Sequence, residues 1–75
     1  MRPKKQVVCV EWYDAVFTRD NPCGPVRTVS YGFLVKSDEE LVRVAQSWNT
    51  VEGYCEFLTV PRGMVTSITL VPALT

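Results

Sequence analysis

SDEELVRVAQSW, Ser37 to Trp48, can be read in two ways. With Ser37 as N-cap and Glu40 three residues later as its capping-box partner, Leu41, Val44 and Ala45 share one face of a helix. With a period of two, Val42 and Val44 point inward and Arg43 outward, as in a half-buried strand. The valines favour the strand, and so does the short link to the preceding run, because a hairpin is the simpler local connection. The strand reading extends the pattern of the rest of the chain; the helix over 38–48 is the alternative.

Working outward, four more runs carry strand composition. Gln6 to Val16 places Val8, Val10 and Trp12 on one side and Cys9, Glu11 and Tyr13 on the other. TRDNPCGP, Thr18 to Pro25, is loop chemistry. Val26 to Lys36 sets Val29, Tyr31, Phe33 and Val35 on one face, with Thr28, Ser30, Leu34 and Lys36 on the other. Gly32, in the middle of that run, predicts a bend or a close backbone approach. SDEE then makes a turn. Trp48-Asn49-Thr50 reads as the next link, with Trp48 either folded back over the open end or displayed to a partner. Glu52 to Val60 is apolar on both faces, Cys55 and Phe57 against Tyr54, Leu58 and Val60. PRGM fits a tight or single 3₁₀ turn. Val65 to Val71 closes as a fifth strand with Ile68 and Leu70 inward, and Pro72 ends it.

The chain's 75 residues make a single domain, with 1–5 a loose basic start and 72–75 a tail. A chain this small needs a tight apolar core, and 47% hydrophobic residues supply one. Eight basic and eight acidic side chains cancel, which argues against a dedicated duplex-DNA binder. Cys9, Cys23 and Cys55 are odd in number, form no CxxC, and have no histidine beside them, so neither a disulfide framework nor a zinc site is expected. Cys9 and Cys55 read as strand filler, and Cys23 as the exposed, oxidisable thiol. No apolar run approaches the ~20 residues of a membrane span. The expectation is a cytoplasmic protein with reduced thiols.

Five short strands, a long first loop, a bent second strand and a Pro–Gly link predict an all-β, strongly bent small barrel with a short 3₁₀ turn before the last strand. The motifs V-x-V-x-W-x-D-A, T-V-x-Y-G-F-L-V-K and V-P-R-G-M-V-x-x-I-x-L make the chain similar to the SH3-like and Sm-like small barrels, and to small proteins of phage and bacterial genomes. The resemblance covers Val7 to Leu70. It implies self-association through the fourth and fifth strands and, in a phage setting, sequestration of a host signalling nucleotide. The N-terminal helix and the Asp/Asn-based RNA pocket of Sm-like proteins have no counterpart here, so RNA binding does not carry over.

Catalysis finds little support in the residues. Glu11 and Asp14 lie three apart in a strand and point to opposite faces, so they cannot converge as an acid–base pair. Asp14 is placed to accept backbone N–H bonds from the first loop. A cysteine nucleophile lacks the histidine that would ionise it. No cofactor motif occurs. The expectation is a non-enzymatic binding module, oligomeric, holding a nucleotide-type ligand or short nucleic acid. Tyr13, Tyr31 and Trp48 would stack on bases, with Arg27, Arg43 and Asn49 as polar partners. Tyr54, Phe57, Leu58 and Val60 are the candidate oligomer interface, with Leu34 and Leu41 also outward. The alternative is a protein–protein adaptor or inhibitor of a host protein, using an exposed strand edge and Trp48.

Overall fold

A computed structural model describes residues 3–14 and 25–72. The strands are β1 (Val7–Asp14), β2 (Val26–Ser37), β3 (Leu41–Asn49), β4 (Gly53–Pro61) and β5 (Val65–Leu70), with a 3₁₀ turn at Arg62–Met64. They form one antiparallel five-stranded sheet in the order β4-β3-β2-β1-β5. The protein is all-β, as the alternation predicts. No helix among the described residues is long and apolar enough to cross a membrane.

The Ser37–Trp48 ambiguity resolves to the strand because Asp38 turns the chain back on itself. Its Oδ1 accepts the N–H groups of Glu40 (2.8 Å) and Leu41 (2.9 Å), and its own N–H donates to the Leu41 carbonyl at 3.0 Å. A side chain that satisfies turn amides competes with helix initiation, and here the tight hairpin wins. The other hairpin end is built alike. Trp48 and Asn49 belong to β3, not to the link, and the Asn49 Oδ1 accepts the N–H groups of Val51 (2.9 Å) and Glu52 (2.7 Å).

Val8, Val10 and Trp12 of β1, Val42 and Val44 of β3, and Val60 of β4 form the buried core. Leu34, Leu58, Met64, Val65 and Ile68 pack against it. β4 and β5 are opposite ends of the strand order, about 19 Å apart in a flat sheet at ~4.8 Å per strand. Both nevertheless contribute to one cluster, so the sheet bends strongly over it. No ladder joins β4 to β5 among the described residues, and both remain hydrogen-bonding edges.

Two facing assignments differ from the sequence expectation. Register pairs Val8 with Gly32, Val10 with Ser30 and Trp12 with Thr28. Directly opposed residues share a face, so the small residues of β2 and Leu34 lie inward. Val29, Tyr31 and Phe33 lie outward. Leu34, expected outside, packs on the core. The reason is space: Trp12 fills the volume over Thr28 and Ser30, and its Nε1 donates to the Ser30 Oγ at 3.1 Å. Gly32 confirms the close approach, since an added Cβ would lie 2.8 Å from the Ala45 carbonyl oxygen and 3.0 Å from the Val44 Cβ. In β4 the inward set is Leu58 and Val60, leaving Phe57 outside at 55% exposure. Bulges at Val35 in β2 and Thr66 in β5 interrupt the ladders and let neighbouring strands bend.

The start of the chain is tied down at Lys4 and Lys5, whose N–H groups donate to the Tyr54 hydroxyl at 3.0 and 2.8 Å. The expected loose tail is therefore anchored there. Tyr54 also meets Phe33 edge-on at 5.5 Å between ring centres. Cys23, most of the loop from Thr18 to Pro25, and the tail beyond Pro72 lie outside the described residues.

Candidate functional site: the outer sheet face

The inward face is consumed by the core, so surface chemistry belongs to the outer face. Its composition follows from register. Val7 pairs with Phe33, Phe33 with Ala45, and Ala45 with Phe57, which draws an apolar row across four strands. The next rows place Thr69 and Tyr31 on either side of Cys9, and Ser67 and Val29 on either side of Glu11. Tyr31 is 60% exposed, and Val29 stands nearly as open. An apolar, aromatic exterior on so small a domain is the feature that asks for an explanation.

Glu11 centres a charged network on this face. Its Oε1 accepts from the Arg27 guanidinium at 2.9 Å, and its Oε2 accepts from the Ser67 hydroxyl at 2.8 Å. The Ser67 hydrogen bond, followed by the Arg27 hydrogen bond and charge, lowers the Glu11 carboxyl below its ordinary value. A hydrogen bond to the Cys9 thiol and the charge Cys9 carries when ionised raise the Tyr31 phenol, with burial and Glu11 adding to it. Asp14 stands on the opposite face of β1 from Glu11, as the strand geometry requires. The loop amides it was expected to accept from lie outside the described residues.

The six expected ligand residues fall in three places. Tyr13 and Arg27 are direct cross-strand partners on the outer face, and Tyr31 lies four residues along β2 from Arg27. Arg43 pairs with Lys36, nine residues from Arg27 and so roughly 30 Å along the strand at ~3.3 Å per residue. Its Nε donates to the Thr59 Oγ1 at 2.9 Å. Trp48, half-buried opposite Tyr54, and Asn49 lie at the other end of β3. The Asn49 amide oxygen is occupied by its turn. One pocket cannot use all six.

The four expected interface residues also divide. Val60 is 1% exposed, and Leu58 packs on the same core. Tyr54 is half-buried as the anchor of the first residues. Phe57 alone of the four stands open. Sequence reasoning missed Val29, Phe33 and Glu11 as the matrix of this face. The usable signal was Gly32, which cannot sit opposite Val8 on the outside and also give β2 its close approach to β3.

Comparison with known proteins finds no match among family models, curated proteins or solved structures.

Proposed function

We propose that this protein is a non-enzymatic binding module that acts by association, using its outer sheet face and a free strand edge as contact surfaces. The observation that carries this reading is the exposed apolar set on the outer face, with Tyr31 at 60% and Phe57 at 55% exposure. Such side chains are costly to leave in water at about 25 cal/mol per Å², and covering them drives association. Contact through this surface makes the chain an adaptor, an inhibitor of another protein, or a subunit of its own oligomer. The test is light scattering over a dilution series, with a pull-down comparing wild type and Tyr31→Ala. A one-chain mass throughout, together with a partner set unchanged in the variant, would remove the proposal.

A second reading keeps a nucleotide-type ligand or a short single strand, including the capture of a host signalling nucleotide in a phage setting. What favours it is Tyr13, 44% exposed, directly beside Arg27 and on the same face as Tyr31. Rings of this kind stack on bases, and a guanidinium meets phosphate. The ion pair with Glu11 works against it, because a phosphate must displace a carboxylate to reach Arg27. Calorimetric titration with cyclic and linear nucleotides and a short single strand decides the matter. Heat that disappears in Tyr13→Ala and Arg27→Ala supports the reading, and silence across the panel ends it.

A further inference from the structure

The two free edges of the sheet differ. In β4, Glu56 takes a left-handed backbone (φ 59°), the ladder to β3 skips that residue, and the strand ends in Pro61. Charge, irregular backbone and proline are the devices that blunt an edge against pairing. β5 carries neither charge nor proline, and its one irregularity, the bulge at Thr66, precedes the regular stretch from Ser67 to Leu70. VTSITLV, Val65 to Val71, contains no charge, no proline and no glycine, and four of its seven residues are Val or Ile or Leu outside the two threonines and Ser67. Its exposed end carries Leu70 at 58% and Val71 at 36%.

The direction of its backbone groups follows from the ladder. The Val71 N–H donates to the Val7 carbonyl at 2.9 Å. Backbone groups in an antiparallel strand alternate sides, so Val71, Thr69 and Ser67 turn toward β1, while Ile68 and Leu70 turn their N–H and C=O groups outward. Among the described residues no strand pairs with that side. Two outward residues, spaced by one, are self-complementary about a two-fold axis. Ile68 of one chain can face Leu70 of another and the reverse, closing four N–H···O bonds with Thr69 opposite its own symmetry mate.

We propose that β5 pairs antiparallel with β5 of a second copy, joining two sheets into one ten-stranded sheet with a two-fold axis at Thr69. This rests on the association reading and names its partner and its strand. It differs from a ring built by pairing β4 with β5, because a ring needs the blunted β4 edge. The pairing lays each exposed Leu70 beside the other copy's half-buried Ile68, on the same face of the joined sheet. It also places the two Thr69 side chains in a non-hydrogen-bonded cross-strand pair, about 4.5 Å apart at Cα.

That spacing lies within the range a disulfide spans, about 4.4–6.8 Å. Thr69→Cys, a change at an exposed residue, is therefore expected to give a covalent dimer on mild oxidation, with the wild type run alongside to account for its native thiols. Light scattering is expected to show a two-chain mass for wild type that halves in Leu70→Pro. This proline removes an outward donor and leaves the β1 ladder alone; circular dichroism checks that its sheet is intact. Phe57→Lys, on the outer face of β4, is expected to keep the two-chain mass. If Leu70→Pro does not fold, the Thr69→Cys cross-link decides alone. A multi-chain assembly whose mass survives Leu70→Pro, or that gives no Thr69→Cys cross-link beyond wild type, would overturn the β5 pairing and leave association by another surface standing. A one-chain mass at every soluble concentration, with no cross-link, would overturn the pairing, and the reading beneath it falls only if the pull-down also finds no partner sensitive to Tyr31.

Discussion

Gly32 meets the backbone of β3 so closely that one methyl group is decisive. Its Cβ would press on the Ala45 carbonyl oxygen at 2.8 Å and on the Val44 side chain at 3.0 and 3.1 Å, and a strand backbone cannot yield as a flexible side chain does. Overpacking of this kind costs about 1–3 kcal/mol. Gly32→Ala is expected to lower the urea midpoint without changing its slope, and to drop Tm by roughly 4–8 °C per kcal/mol. Glu11 gives a second test at this scale. Its folded carboxyl titrates below its unfolded value because Ser67 and Arg27 stabilise the charged form. Its contribution is therefore full above the unfolded value and disappears as pH falls through the lower, folded one. Wild type is expected to lose more stability than Glu11→Gln on acidification below the ordinary carboxylate range, measured by urea unfolding at stepped pH. Equal acid slopes for the two proteins would sever Glu11 from that dependence.

At the scale of elements, the approximate positions of the turns were the most legible features and facing was the least. The Asp38 and Asn49 side chains that close two of those turns went unread, Asn49 standing as a ligand residue. Asp38 and Asn49 each close a hairpin by accepting two backbone N–H groups, a habit of these residue types that needs no tertiary context. Asn49→Ala leaves those two amides to water, and about 1 kcal/mol of lost stability is expected, read as a lower urea midpoint. Asp38→Asn, which keeps an acceptor oxygen, is expected to be closer to wild type than Asp38→Ala. Facing was harder to read because β2 and β4 are apolar on both sides. Alternation sorts Val29, Tyr31 and Phe33 from Thr28, Ser30 and Leu34, but only the volume of Trp12 across the ladder says which set goes inside. The candidate site suffered for a related reason. Arg27 and Arg43 both read as outward strand cations, yet the register sets them at opposite ends of β2.

The whole molecule depends on its last strand more than its short length suggests. β5 pairs with β1, which lies at the opposite end of the chain, from Val8 with Leu70 to Trp12 with Val65. It also supplies Val65 and Ile68 to the core. Without it, β1 becomes an edge whose inward residues Val8, Val10 and Trp12 border water, and Glu11 loses Ser67. Burying an apolar side chain of this size contributes about 1.5–3 kcal/mol. A small domain has only about 0.05–0.15 kcal/mol per residue in total. Val65 and Ile68 are half-buried and each contributes a part of that burial energy, which with the β1 ladder bonds is a large share of what holds the fold together. A chain stopped after Met64 is expected to lose its sheet signal in circular dichroism and its buried tryptophan fluorescence. Adding the separate peptide 65–72 at high concentration is expected to restore part of both, because the β1 edge it left is open and in register. A truncated chain that keeps the wild-type spectrum would mean that β1 to β4 hold the core by themselves, and that β5 is free to serve association alone.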